Sequence, residues 1–322
     1  MRSTFLTLLL LTILGTGVRA QNFSSTDPAY AENVTLGEAK LIAAEYDSCL
    51  VYYATAFAIK STSFLSTMRA AACAHSAGES TLRDIYLDHA FGLSPDGAAS
   101  VFKSYDEFAY LQETPFAGLV EERFAVAFPN FNQRLADTLA EVQRTDQEQR
   151  GQMSTVGDQY GYESPQMDSL WAIQNFSDSV NTIYVTKLID SSGYPGKSIV
   201  GEQAGTAFLV IQHADLGVQE KYLPVLRSAA EAGELNYRSL ALLIDRIEQR
   251  NDRPQIYGSQ VGRDTTTGDF YFFPIAEPYK VDSLRETVGL GALTDYAKRW
   301  NFSYDPAAQV ARQEAATKVN KD

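Results

Sequence analysis

The residues best suited to chemistry lie in the second half of the chain. His213 is the one histidine there, the others being His75 and His89. An imidazole beside a carboxylate can act as a general base near neutral pH. Asp245 follows the apolar run Leu240-Ala241-Leu242-Leu243-Ile244 and precedes Arg246-Ile247. A carboxylate in that setting is partly buried, so it must be paired or hydrogen-bonded. Tyr257, within Gln255-Ile256-Tyr257-Gly258-Ser259-Gln260, can orient a substrate or donate a proton. His213, Asp245 and Tyr257 are therefore the candidate catalytic residues. Asp178, Asn181, Asp215, Arg246, Gln255 and Arg285 form the candidate binding set. Asp178 and Asn181 share one helix face. A guanidinium from Arg246 or Arg285 suits a carboxylate or phosphate group. Asp215 lies two residues beyond His213, on another face, so Asp178 or Asp245 is the expected partner of the imidazole.

Other chemistries fit less well. Gly258-Ser259-Gln260-Val261-Gly262 has the spacing of a nucleophile elbow. The strand-to-helix turn that motif needs is missing, because a hairpin follows. One histidine among aspartates is thin for zinc, which usually takes three protein ligands. Carboxylates with His213 could hold another divalent ion, but no metal or cofactor is expected. Each candidate also has a structural alternative. Asp245 and Arg246 could tie a helix to the hairpin, and His213 could cap its own helix. Gly258 could mark a bulge, while Gln255 and Gln260 satisfy nearby carbonyls. Such buried polar networks can specify a fold without catalysing anything.

These residues need a helical framework with one hairpin. Leu170–Leu188 reads as a helix, broken by Gly193-Tyr194-Pro195-Gly196. Further helices are expected from Lys197 or Ser198 to Gln212, from Gln219 to Ala232, and over Leu240–Ile247. Residues 255–261 and 269–276 read as strands about a turn at Arg263–Gly268, with Phe270-Tyr271-Phe272-Phe273 favouring a strand. A helix lies near Leu293–Trp300, and the Ala/Gln-rich tail after Pro306 reads as a loosely held helix.

Several motifs recur in order through this half: Asp178-x-x-Asn181, Gly193-Tyr194-Pro195, Val200-Gly201, Gln212-His213-Ala214-Asp215, Asp245-Arg246 and Gln255–Gln260. Pro274-Ile275 and Val281-Asp282 with Arg285 complete the set. Over residues 165–300 the chain resembles DUF6624, a bacterial domain family of unknown function. The resemblance implies a fold grouping and no known reaction.

The first half reads as helices. Thr35 and Glu38 have the spacing of a capping box ahead of a helix running through Leu41, Leu50 and Phe57. Helices follow from Thr62 to Ala77, with Gly78 closing the first, and from Ser80 to Phe91, before Ser94-Pro95-Asp96-Gly97. This unit resembles a single tetratricopeptide repeat, with Ala71 and Ala90 at the small positions, although Arg83 stands where the pattern wants alanine. The resemblance implies a concave surface for a protein or peptide partner; a plain structural adaptor is the alternative. The polar stretch 125–164 is expected to be linker and helix, the helix ending near Gly151 ahead of a loop, between this region (21–124) and the C-terminal domain (165–322).

Met1–Ala20 has the three regions of a signal peptide: Arg2, the apolar run Phe5–Leu14, and Val18-Arg19-Ala20 at the cleavage site. Periplasmic or secreted placement is expected, with Gln21 as the new N-terminus and no integral membrane segment thereafter. Cys49 and Cys73 are then disulfide candidates. A bridge would close a loop of about 24 residues and contribute roughly 3 kcal/mol. The run Ala70-Ala71-Ala72-Cys73-Ala74 argues more for two small residues at a helix contact. With 322 residues, formal charge −13 and no basic tract, the chain is unsuited to nucleic acid. The fold expected is mainly α: a short tetratricopeptide-like helical hairpin followed by a helical domain with one β-hairpin. The function expected is acid–base hydrolysis or transfer on a small polar or peptide-like substrate. The rival is a non-enzymatic envelope protein whose front helices dock a partner.

Overall fold

A computed structural model describes residues 27–264 and 267–319; the signal segment lies outside the described residues. Among the described residues the fold is mainly α with one two-stranded antiparallel hairpin. The chain divides between Phe131 and Asn132 into two compact units.

The N-terminal unit opens with α1 (Pro28–Ile42), capped by the Asp27 carboxylate on the N–H groups of Ala29 and Tyr30. The helix thus begins upstream of the expected Thr35 cap. Thr35 lies inside it and bonds back to the Ala31 carbonyl. Ala44 takes a positive φ of 56°, which splits the expected long helix into α1 and α2 (Tyr46–Ile59). Helix α3 (Phe64–Ser76) is capped by Ser63 and is buried continuously from Leu65 to Ala74. Its alanine run lets α1, α2, α4 (Ser80–Leu93) and α5 (Pro95–Ser104) approach it from several sides. Gly78 ends α3 at φ +83°, a left-handed conformation that glycine adopts without a Cβ clash. Ser94-Pro95 does not break the chain into a loop. Ser94 caps α5, and Pro95 sits in its first turn, where no N–H is needed. A 3₁₀ turn (Asp106–Leu111) and α6 (Pro115–Ala127) complete the unit.

Its core gathers Tyr53, Met68, Leu87, Phe108 and Phe116. Arg69, although buried, donates to Glu107 and Glu38, so its charge is paired. The structure joins Cys49 and Cys73 in a disulfide between α2 and α3, where the alanine run had favoured unbridged residues. The two readings are compatible: small residues bring the helices close enough for the bond.

The C-terminal unit begins with α7 (Gln133–Gln147) and α8 (Arg150–Tyr160). The stretch expected as linker and helix carries two helices, with α7 packed on α9 (Pro165–Ser192) and α11 (Ala204–His213). The cause is visible in α7, whose buried residues Ala136, Leu139, Val142 and Asp146 repeat at helical spacing. Gly201 has a positive φ and separates α10 (Lys197–Val200) from α11. Helices α12 (Leu216–Glu231) and α13 (Tyr237–Arg250) close the bundle. Val185, Phe208, Ile211, Leu226 and Leu243 form its core.

The hairpin is shorter than expected. Strands β1 (Val261–Arg263) and β2 (Phe270–Phe272) pair Val261 with Phe272 and Arg263 with Phe270. Residues Gln255–Gln260 form no strand; they curl around a buried carboxylate described below. The short helices α14 (Val281–Thr287) and α15 (Leu293–Lys298) hold Phe272 and Ile275 in a second small core, and α16 (Pro306–Val319) follows.

Reducing the protein should destabilise the N-terminal unit. Cys49 and Cys73 are 24 residues apart, and opening a loop of that length costs about 3 kcal/mol. Urea titrations of wild type and Cys49→Ser/Cys73→Ser, with and without reductant, test this. A reductant effect in the double variant, or none in wild type, would count against the bridge.

Candidate functional site

The imidazole of His213, the last residue of α11, finds its partner on α7. Its Nδ1 lies 3.0 Å from both carboxylate oxygens of Asp146. The His213 side chain is 1% exposed and that of Asp146 is 0% exposed. Asp146 reaches this position because it continues the apolar stripe of α7 inward. Gln147 Nε2 also donates to its carboxylate, at 2.5 Å.

Helix α9 extends the network along one face. Gln174 Nε2 donates to the Asp146 carbonyl and to Asp178 Oδ1, at 3.1 and 2.7 Å. Arg150, at the start of α8, forks both oxygens of Asp178 at 3.2 and 2.8 Å. One turn further, Asn181 donates to the Val142 carbonyl and accepts from Thr145 Oγ1.

The end of α11 is held from the other side. The carbonyls of a helix's last turn lack partners within the helix. The Gln212 carbonyl accepts from Arg246 Nη1 at 3.0 Å and from Gln219 Nε2 at 2.7 Å. The Ala214 carbonyl accepts from Arg250 Nη1 and again from Gln219. Cations suit a helix C-terminus, so Arg246 and Arg250, one turn apart on α13, fix the position of His213. Four buried acceptor atoms remain without a partner here: His213 Nε2 and the Oε1 atoms of Gln174, Gln212 and Gln219.

Burial depresses the imidazole pKa, and the Arg150 and Arg246 charges add to the effect against the opposing Asp146. Burial also works against the Asp146 carboxylate, but the His213 hydrogen bond and the Arg150 charge outweigh it and hold its pKa below the ordinary value. At neutral pH the carboxylate is ionised and the imidazole neutral. Its proton sits on Nδ1, facing Asp146, which leaves Nε2 as a bare acceptor. Burial raises Asp178, opposed by Arg150 and Gln174. Burial, with Arg250 and Arg150 nearby, pushes Arg246 down to about 10.

Ligand atoms of Asp146, Asp178 and His213 lie within 4.8 Å of one another. The donor types suit a divalent ion. The charges around them do not: Arg150 already occupies both oxygens of Asp178, and the Arg246 charge acts on His213 as well. A cation would have to displace Arg150 and sit among guanidinium groups.

The residues expected to act with His213 have other tasks. Asp245 Oδ1 accepts the N–H groups of Ile256 and Tyr257 at 2.7 and 2.9 Å, and Oδ2 accepts that of Ser259 at 2.8 Å. Its acceptor capacity is turned to shaping the 255–260 loop. Gln255 bonds the Gln260 and Phe273 carbonyls, and its Oε1 accepts the Gln260 N–H. Arg285 bonds the carbonyls of Gly291 and Tyr257. Asp215 caps α12 through the Val218 N–H. Tyr257 contributes main-chain bonds to this loop rather than a hydrogen bond to His213. Only Asp178, Asn181 and Arg246 of the expected binding set share the His213 network. Asp146, Arg150 and Gln174 were not foreseen, although a carboxylate on the apolar stripe of α7 was a usable signal.

Two predictions follow from these roles. Asp245→Asn should destabilise the protein by about 2–4 kcal/mol, since an amide cannot accept three N–H groups and turns a donor on one of them. A denaturation midpoint equal to wild type would refute the loop role. His213 has a lowered pKa, so below pH about 6.5 the unfolded chain binds a proton that the native state does not. Stability should fall from pH 6.5 toward pH 5 with a His213 contribution of up to about 1.4 kcal/mol per pH unit. His213→Asn should show a shallower fall; equal slopes would place His213 outside the pH response.

Residues 132–307 match a family described as a family of unknown function, DUF6624. No curated protein and no solved structure matches the chain. The matched span covers every residue of the His213 network, and the chain belongs to the DUF6624 family.

Proposed function

We propose that the C-terminal unit is an acid–base enzyme acting by hydrolysis or transfer on a small polar substrate. The observation that carries this reading is His213 Nε2, buried and without a partner, on a ring whose Nδ1 is held by Asp146. A carboxylate that orients an imidazole by one nitrogen prepares the other to take a proton, directly or through one water. Asp146 would then stabilise the imidazolium that forms. Asp245 and Tyr257 have no part in this proton transfer; they build the neighbouring loop.

Met1–Ala20 supports export as part of the same reading, and no helix among the described residues is long and apolar enough to cross a membrane. A small substrate in the bacterial envelope fits that placement. The tetratricopeptide-like reading of the N-terminal helices rests on Ala71, Gly78, Ala90 and Pro95. The continuous burial of α3 leaves that helix no face for a docked peptide. The rival reading, an interaction protein, finds more support on α9, where Ile173, Phe176, Val180 and Ile183 form an exposed apolar stripe.

Chromogenic ester, amide and phosphoester panels on the exported protein test the enzyme reading. Turnover should fall about 10²–10⁴-fold in His213→Asn, the usual worth of a general base. Asp146→Asn should fall in the same direction with binding preserved. A His213→Asn protein that stays folded and turns over as wild type would sink the proposal.

A further inference from the structure

Arg246 stands out among the buried arginines. Arg69 is met by two carboxylates. Arg285 is met by two carbonyls and lies over the Tyr296 ring. Arg246 is 6% exposed, yet its one hydrogen bond is that from Nη1 to the Gln212 carbonyl. It has no ion-pair partner among the described residues, and the charges acting on it include the cations Arg150 and Arg250. A guanidinium carries five N–H donors. Capping one carbonyl uses one of them and leaves the charge unbalanced. A buried charge without a counter-ion is costly, and this one persists in a chain of formal charge −13.

We propose that Arg246 binds the oxyanion of a small ligand, a phosphate or carboxylate group, next to His213. The guanidinium fork matches such groups in two hydrogen bonds. Gln212 and His213 stand at the helix end that Arg246 caps, and each carries an enclosed acceptor without a partner, Oε1 and Nε2. Arg150 adds positive charge while remaining locked to Asp178. The inference names the substrate class of the acid–base reading, and it rests on that reading for the reaction though not for the binding.

The test uses the full chain with inorganic phosphate and acetate in separate arms, against chloride at matched ionic strength. Native-state binding raises the thermal midpoint. The midpoint of wild type should rise with phosphate or acetate, the stronger arm naming the group. Arg246→Gln should lose the response. Arg246→Lys, which keeps charge but not the fork, should bind about 10- to 100-fold more weakly, the loss expected for one charged hydrogen bond. The imidazole NMR signal of His213 should move on titration in wild type, a readout that holds even if the Arg246 variants fail to fold. No midpoint change and no His213 shift in wild type would overturn the proposal. So would an Arg246→Gln protein with the wild-type response, or stabilisation by Mn²⁺ alone, which would make this a cation site. His213→Asn separates the two readings: anion binding kept with turnover lost supports both. Binding kept with turnover unchanged removes the acid–base role and leaves the anion site standing.

Discussion

The contact between His213 Nδ1 and the Asp146 carboxylate governs the C-terminal unit. It puts an ionised carboxylate at 0% side-chain exposure, which is tolerable only because every neighbouring element contributes to it. Helix α7 delivers Asp146, α11 delivers His213, and α9 braces the pair through Gln174 and Asn181. Helices α12 and α13 then hold the end of α11 through Gln219, Arg246 and Arg250. Removing one member of a buried pair leaves the other uncompensated, which costs more than the pair is worth. The bundle geometry and the tautomer of His213 are thus one constraint: helices placed otherwise would strand the charge.

The distribution of charge adds a second level. The chain as a whole is acidic, with 40 acidic against 27 basic residues. Around His213 charges of both signs meet, with Arg150 and Arg246 acting on the imidazole against Asp146. Charges buried in low dielectric act more strongly on each other than surface charges do, and salt screens them less. The acidic surface therefore does not cancel the local field. Burial keeps the imidazole neutral, and the Arg150 and Arg246 charges add to it; Arg150, held on Asp178, opposes a cation between Asp146 and Asp178.

Much of the fold was legible in the sequence because it depends on local rules. Helical periodicity found the bundle helices, and Gly78 marked the end of α3 because its positive φ suits glycine. Asp178 and Asn181 were placed on one face because i, i+3 spacing is a local property. What the sequence leaves open has a cause as well. A helix is expected within residues 125–164, but polarity hides that four inward positions bury α7 and deliver Asp146. Residues 255–260 look like a strand by propensity, but a carboxylate one helix earlier captures three of their N–H groups. The Asp146–His213 contact spans 67 positions and the Asp245 contacts 11 to 14, and neither follows helix or strand periodicity.

Two buried aspartates show how residue type alone misleads. Asp245 and Asp146 are both enclosed carboxylates on the inward face of a helix. Asp245 faces three main-chain N–H groups in a loop close in sequence, so its charge is spent on local structure. Asp146 faces a titratable side chain 67 positions away, so its charge sets the state of another functional group. The first arrangement would be equally satisfied at any pH above the carboxyl's own titration. The second changes meaning whenever the imidazole gains a proton, because a neutral donor becomes a cation beside two arginines. That the network closes on His213, and leaves its second nitrogen and the Arg246 guanidinium under-used, separates this centre from the polar struts elsewhere in the molecule.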